Sequence, residues 1–128
     1  MSEELIQKFS LVKKKYYDFQ TGEVSVIEFN DILLPFLSKI TSDRNYKKIL
    51  GDTNTSSINL LLINIKDKIN AYEYEKDLGN EQAARQEQKD VLYVATRIVN
   101  KLEYIIDTME RKENNSNNYG KNVNKLKV

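Results

Sequence analysis

The chain lacks histidine and cysteine altogether, and it has only one proline and four glycines among its 128 residues. Without cysteine there are no disulfides and no thiolate metal sites. Without histidine there are no Ser-His-Asp or Cys-His arrangements and no histidine-ligated zinc. The scarcity of glycine and proline argues against a turn-rich β fold. We therefore expect no catalytic residues, no cofactor and no metal site, and hence a protein that is not an enzyme.

A charge excess of one sign and long apolar runs are absent as well. The chain has 20 basic and 19 acidic residues, a net charge of +1. This balance provides no strong field for nucleic acid or for an acidic membrane. No apolar run approaches the ~18 residues that span a bilayer, and the first ten residues lack the features of a signal peptide. We predict no transmembrane segment and a cytoplasmic location.

The chain does contain strong helical periodicity. Three segments carry apolar residues at spacings of 4, 3, 4 and 3, and one further segment is apolar around a proline, which is typical of amphipathic helices. The four stripes are Leu5, Phe9, Val12, Tyr16 and Phe19; Phe29, Ile32, Leu33, Phe36, Leu37 and Ile40; Ile58, Leu62, Ile65, Ile69 and Tyr72; and Val91, Ala95, Ile98, Leu102, Ile105 and Met109. The pattern predicts an all-α fold, a small bundle of about four main helices in two αα-hairpins.

Local signals place the first hairpin. The first helix is predicted over residues 3–20, with Gly22 suited to the turn that ends it. Ser25 and Glu28 have the spacing of a capping box, which predicts the start of the second helix. Pro35 lies inside that helix and is expected to kink or split it near Leu33.

The second half is less clearly bounded. Residues 43–50 are predicted to form a short connecting helix, capped by Thr41 or Ser42 and ended by Gly51. The polar stretch 52–57 is predicted to be a loop, with the third main helix starting near Ser57. Gly79-Asn80 favours a second hairpin, although one long bent helix is the alternative.

The domain organisation follows from where the periodicity ends. Residues 1–112 are predicted to form one helical-bundle domain. Residues 113–128 are rich in Asn and Lys and have no apolar period, so they are predicted to be a disordered tail.

Several apolar residues lie outside the minimal stripes. We interpret them as a second apolar surface that binds a partner, while a wider core around the short helix is the alternative explanation. The candidate partner-binding residues are Leu34, Leu60, Ile63, Val94, Tyr104 and Ile106.

Basic and aromatic residues are mixed at two places, a pattern that some proteins use against nucleic-acid backbones. The candidate nucleic-acid residues are Lys13, Lys14, Lys15, Tyr17, Lys47 and Lys48. The alternative explanation is that these lysines coat a solvated helix face, which the balanced net charge favours.

These observations give one main functional hypothesis and two alternatives. The main hypothesis is a non-catalytic protein-interaction module, a small regulator, inhibitor or complex subunit, whose partner is another protein or a second copy of the chain. The first alternative is a nucleic-acid-associated regulatory factor. The second is an immunity-type helical bundle of a low-GC bacterium or a mobile element, which rests on fold-level analogy.

Overall fold

Five helices, and no strand, make up the backbone that the computed structural model describes, residues 2–126; side chains are described for residues 3–112. The helices are α1 (Ser2–Gln20), α2 (Val26–Ser42), α3 (Arg44–Leu50), α4 (Asp52–Asp77) and α5 (Glu81–Leu126). The predicted all-α bundle is confirmed. The predicted disordered tail, residues 113–128, lies outside the range of described side chains.

The four long helices form a ring around one core. α1 packs on α2 and α5, α2 packs on α4, and α4 packs on α5, while the short α3 lies against α2 and α4. α1 and α5 run antiparallel, because Lys13 pairs with Glu103, whereas Tyr16, further along α1, bonds to Thr96, nearer the start of α5. The two predicted hairpins are α1–α2 and α4–α5, in each of which two successive long helices pack on one another.

The predicted stripes form most of the core, which also includes residues outside them, such as Tyr46 and Val99. Almost all stripe residues of the four long helices are buried and belong to one continuous apolar cluster. The rings of Phe19 and Phe29 stack at a centroid distance of 5.0 Å across the first hairpin. The Tyr16 hydroxyl lies 2.7 Å from Thr96 Oγ1, which itself donates to the Leu92 carbonyl at 2.8 Å. Because a threonine hydroxyl has one proton, the tyrosine is the donor in this bond between α1 and α5.

The first hairpin closes at the predicted residues. Gly22 has a φ of 83°, in the left-handed region that favours glycine. The Glu28 backbone amide donates to Ser25 Oγ at 3.1 Å, and the Ser25 hydroxyl lies 3.5 Å from Glu28 Oε1. This is the predicted cap of α2.

Pro35 does not split the second helix. α2 is continuous from Val26 to Ser42. Pro35 and Asp31, whose carbonyl loses its helical partner, both lie on the exposed side of the helix. Water can satisfy that carbonyl, so the helix continues past the proline.

The cap of α3 differs from the prediction. Asp43, rather than Thr41 or Ser42, caps this helix, and its Oδ1 accepts from the amides of Asn45 and Tyr46 at 2.9 and 3.3 Å. The two hydroxyl groups instead donate back into α2, Thr41 to the Leu37 carbonyl and Ser42 to the Ser38 carbonyl. Of the side chains of Thr41, Ser42 and Asp43, only the Asp43 carboxylate lies beyond the end of α2. The first amides of α3 point toward it.

The predicted loop at 52–57 is wrong, because α4 begins at Asp52. Gly51, with a φ of 84°, turns the chain directly from α3 into α4. The Asn54 side chain donates to the Leu50 carbonyl at 2.9 Å, and Thr55 is buried three residues before Ile58. Thr55 therefore adds a polar residue to the core stripe of α4, toward the start of the helix. A search for apolar periodicity does not detect such a residue.

The second hairpin is confirmed against the alternative of one long helix. Gly79 has a φ of 79°. The Asn80 amide donates to the Glu75 carbonyl at 3.0 Å, and the Asn80 side chain donates to the Glu75 carboxylate at 2.9 Å. The chain reverses here and α5 packs back along α4.

Candidate protein-interaction surface

An open groove runs between α4 and α5 on the side that faces away from α1 and α2. It has a volume of about 640 Å³. We call it the hairpin groove; its lining consists of Ser57, Leu60, Leu61 and Asn64 from α4 and Arg97, Asn100 and Lys101 from α5. The α4 wall therefore has two leucines between two polar residues, whereas the α5 wall is polar and basic.

Two exposed tyrosines extend the α5 wall at both ends. Tyr93 lies one turn before Arg97, and Tyr104 lies one turn after Asn100. Both rings are 67% exposed, and Leu60 on the opposite wall is 68% exposed. Side chains of this size at this exposure are candidates for contact with another molecule, and Tyr and Arg are the types that most often dominate interfaces.

The structure divides the six predicted partner-binding residues into three groups. Leu60, Ile63 and Tyr104 are exposed, on the outer sides of α4 and α5. Leu34 is half-buried on α2 and packs against the core. It lies on a different hairpin from the groove.

Two of the six residues are corrected. Val94 is 2% exposed and Ile106 is 6% exposed, so both belong to the core rather than to a surface. The physical reason is that α5 packs on α1 as well as on α4. Because α5 contacts two helices, a larger part of its circumference is buried than the single predicted stripe. The surface was inferred from apolar residues outside that stripe. For these two residues the core is wider than the stripe, but the helices that widen it are α1 and α4 rather than the short helix of the alternative explanation.

Sequence reasoning missed Tyr93, Arg97 and Asn100, although a signal exists. With Tyr104 they are spaced 4, 3 and 4, the same spacing as the core stripe Val91, Ala95, Ile98 and Leu102, shifted by two residues. A shift of two residues is about 200° around a helix, which places this second stripe on the side opposite the core.

The two cations of the hairpin groove, Arg97 and Lys101, form no ion pair with any described side chain. The described side chains form five ion pairs, and neither Arg97 nor Lys101 takes part in any of them. Nearby, Lys68 pairs with Asp90 at 3.8 Å. The groove lining itself contains no carboxylate. Two cations therefore face solvent beside the leucines of α4.

The structure separates the predicted nucleic-acid residues between two helices. Lys13, Lys14, Lys15 and Tyr17 lie on α1, whereas Lys47 and Lys48 lie on α3. Lys13 Nζ is 3.2 Å from Glu103 Oε1 and 5.4 Å from the centroid of the Phe9 ring, so its charge is paired with a carboxylate of α5. α3 meets α1 at Lys8, whose Nζ lies over the Tyr46 ring. Five to nine helical residues, about 8–14 Å along the axis, separate Lys8 from these four residues of α1.

A second, smaller groove lies between α1 and α2. Its volume is about 250 Å³, and its walls include Leu11, Ile32, Pro35 and Phe36. The lysines that border it are both neutralised, Lys8 by Glu4 at 3.1 Å and Lys39 by Asp43 at 3.2 Å. This groove is apolar but has neither unpaired charge nor exposed tyrosine in its lining.

Ionisable groups with shifted pKa values cluster where α1 meets α3. A hydrogen bond from Lys8 lowers the pKa of Glu4, and the same bond raises the pKa of Lys8. Burial raises the pKa of Tyr46, whose ring lies beneath Lys8. These groups hold α3 against the start of α1, some distance from the hairpin groove.

No match to this chain is found among protein-family models, curated proteins or solved structures. Within the described part of the chain, no three or more acidic side chains lie together in a way that could hold a metal ion. No helix in that part has both the length and the apolar character needed to cross a membrane.

Proposed function

We propose that this chain is a non-catalytic protein-interaction module that binds a protein partner along the hairpin groove. The observation that carries the proposal is the row of large exposed side chains, led by Leu60 and Tyr104, on two packed helices that border one groove. The proposal covers a regulator, an inhibitor and a complex subunit alike, because each acts by docking. The absence of histidine and cysteine from the sequence supports the non-catalytic character.

The energetics favour binding at this place. Full burial of one leucine side chain contributes about 1.5–3 kcal/mol. Tyrosine adds a large ring with few rotatable bonds, and arginine adds directional hydrogen bonds, so these side chains gain much contact for little lost entropy. Both walls are regular helices anchored in the core, so the backbone needs no ordering on binding.

The test uses matched substitutions of two equally exposed leucines. Leu60 on the hairpin groove is 68% exposed, and Leu11 on the α1–α2 groove is 66% exposed. A photoreactive amino acid at Asn100 is used to cross-link the protein to its partner in native host cells. We expect Leu60→Ser to abolish the cross-link and Leu11→Ser to leave it intact, because only the first removes an anchor from the hairpin groove.

The opposite pattern would move the interaction to the α1–α2 groove and contradict the proposal. Loss of the cross-link in both variants, with circular dichroism showing both folded, would also contradict it. A cross-linked product of twice the chain mass identifies a second copy as the partner, and light scattering of the purified protein then shows a doubled mass.

A further inference from the structure

The partner of the hairpin groove can be characterised from the charges that border it. Arg97 and Lys101 lie one helical turn apart on the α5 wall, and no described carboxylate neutralises either of them. On the same faces, the nearest acidic residues are Asp67, three residues beyond Asn64, Asp90, seven residues before Arg97 and paired with Lys68, and Asp107, six residues beyond Lys101. They lie beyond opposite ends of the lining, so its centre is positively charged although the whole chain has a net charge of only +1.

The shape of the site indicates a helix. A groove between two antiparallel helices is straight, and amphipathic helices bind such grooves through apolar residues spaced by three or four. Tyr93 and Tyr104 bound the site and are eleven residues apart on α5. Eleven residues correspond to ~16 Å, or about three helical turns of a partner.

We propose that the hairpin groove binds an acidic amphipathic helix of another protein, about three turns long. Its apolar residues pack against Leu60 and Leu61, and its carboxylates pair with Arg97 and Lys101. Arginine suits this role because its planar guanidinium can form two parallel hydrogen bonds with one carboxylate. This inference rests on the proposed function.

A second copy of this chain fits the groove less well. In a twofold dimer the same patch faces itself, so Arg97 and Lys101 of one copy would approach the same cations of the other. A like-charged contact of this kind is unfavourable in an interface. Nucleic acid also fits less well, because two cations release few counterions and the α4 wall adds two leucines and no basic residue.

The experiment selects binders from a displayed library of 18-residue helix-forming peptides. Each peptide has leucine at four positions spaced by three or four, and its remaining positions vary among acidic, basic and neutral polar residues. The wild-type protein is compared with the double variant R97E/K101E. The control is K14E/K15E, which makes the same change in net charge on α1. Circular dichroism checks that both variants are folded.

The expected result is enrichment of peptides with acidic residues one turn apart beside the leucines. Binding of these peptides should fall about tenfold or more in R97E/K101E, because two favourable charge pairs become repulsive, and should weaken with added salt. In K14E/K15E it should change by less than about twofold.

Each other outcome is decisive. Peptides that need Leu60 but show no preference for acidic residues would overturn the acidic-helix inference and leave the proposed function standing. Binders that are all insensitive to Leu60→Ser would overturn the inference and count against the proposed function. A salt-sensitive mobility shift of a single-stranded DNA 20-mer that R97E/K101E abolishes would overturn it in favour of nucleic acid.

Discussion

The strongest prediction contrasts two residues that look alike in the sequence, Val94 and Leu60. Val94 is 2% exposed in the core of α5, whereas Leu60 is 68% exposed on α4. Val94→Ala removes two buried carbon atoms, and each contributes about 0.8 kcal/mol through burial. Incomplete collapse around the void raises the expected loss to about 2–3 kcal/mol. In a domain of this size such a loss lowers Tm by roughly 10 °C.

Leu60→Ala is expected to behave differently. The leucine is already solvated, and alanine is the best helix-forming residue, so the free energy of unfolding should change by no more than about 0.5 kcal/mol. Partner binding, by contrast, should weaken in this variant. The two substitutions therefore separate stability from interaction on neighbouring helices.

The measurement is urea unfolding followed by far-ultraviolet circular dichroism and tyrosine fluorescence. Coincident transitions with an unchanged m value show that both variants unfold in two states from the same fold. A loss from Leu60→Ala as large as that from Val94→Ala would show that this chain itself covers Leu60. The hairpin groove would then be part of the core, and the proposed function would lose its basis.

Two further predictions concern the turns. Gly22→Ala should lower the free energy of unfolding by about 1 kcal/mol, because φ at this position is +83°, which alanine rarely adopts. No atom obstructs the new Cβ, so no steric clash adds to this loss. A denaturant titration measures the loss, and an unchanged midpoint would contradict the need for glycine. The pKa of Asp43 is lowered, first by the Lys39 ammonium and then by the amides of the α3 cap, so its folded pKa lies below the unfolded value of about 3.9. Its stabilisation is therefore present above that value and lost as pH falls through the folded pKa. The stability advantage of wild type over Asp43→Asn should shrink below pH ~4 in denaturation curves, and a constant advantage down to pH ~2 would refute the assignment.

Helical periodicity predicted the parts of the fold that depend on apolar burial. Except for Ile32, which is 39% exposed, the core stripes and the Ser25 cap are where the pattern placed them, because each depends on a spacing that is visible in one helix. The start of α4 was missed for the converse reason. Thr55 occupies a core position with a polar side chain, and Gly51 needs no loop to restart the helix. Neither feature produces an apolar signal.

The candidate site was only partly predictable, because exposure depends on neighbouring helices. Leu60 and Ile106 both deviate from their stripes, yet the first is exposed and the second is buried. The sequence of a single helix gives the angular position of each residue around the helix axis, but not which positions the neighbouring helices cover. The position of α1 beside α5 decides which side chains of α5 are covered, and that position is a feature of the tertiary structure.

The same reasoning explains why the hairpin groove is left uncovered. α1 covers one flank of α5, through the bond from Tyr16 to Thr96 and the ion pair of Lys13 with Glu103. The residues that follow those two contacts, Arg97 and Tyr104, are each rotated by about 100° further around α5, away from α1. A ring of four helices gives each helix two neighbours, so α4 and α5 already have theirs in α2, α1 and each other. A stripe that repeats at core spacing on the remaining flank has no further described helix of this chain to pack against, so its side chains stay exposed, and this exposure is the basis of the proposed partner site.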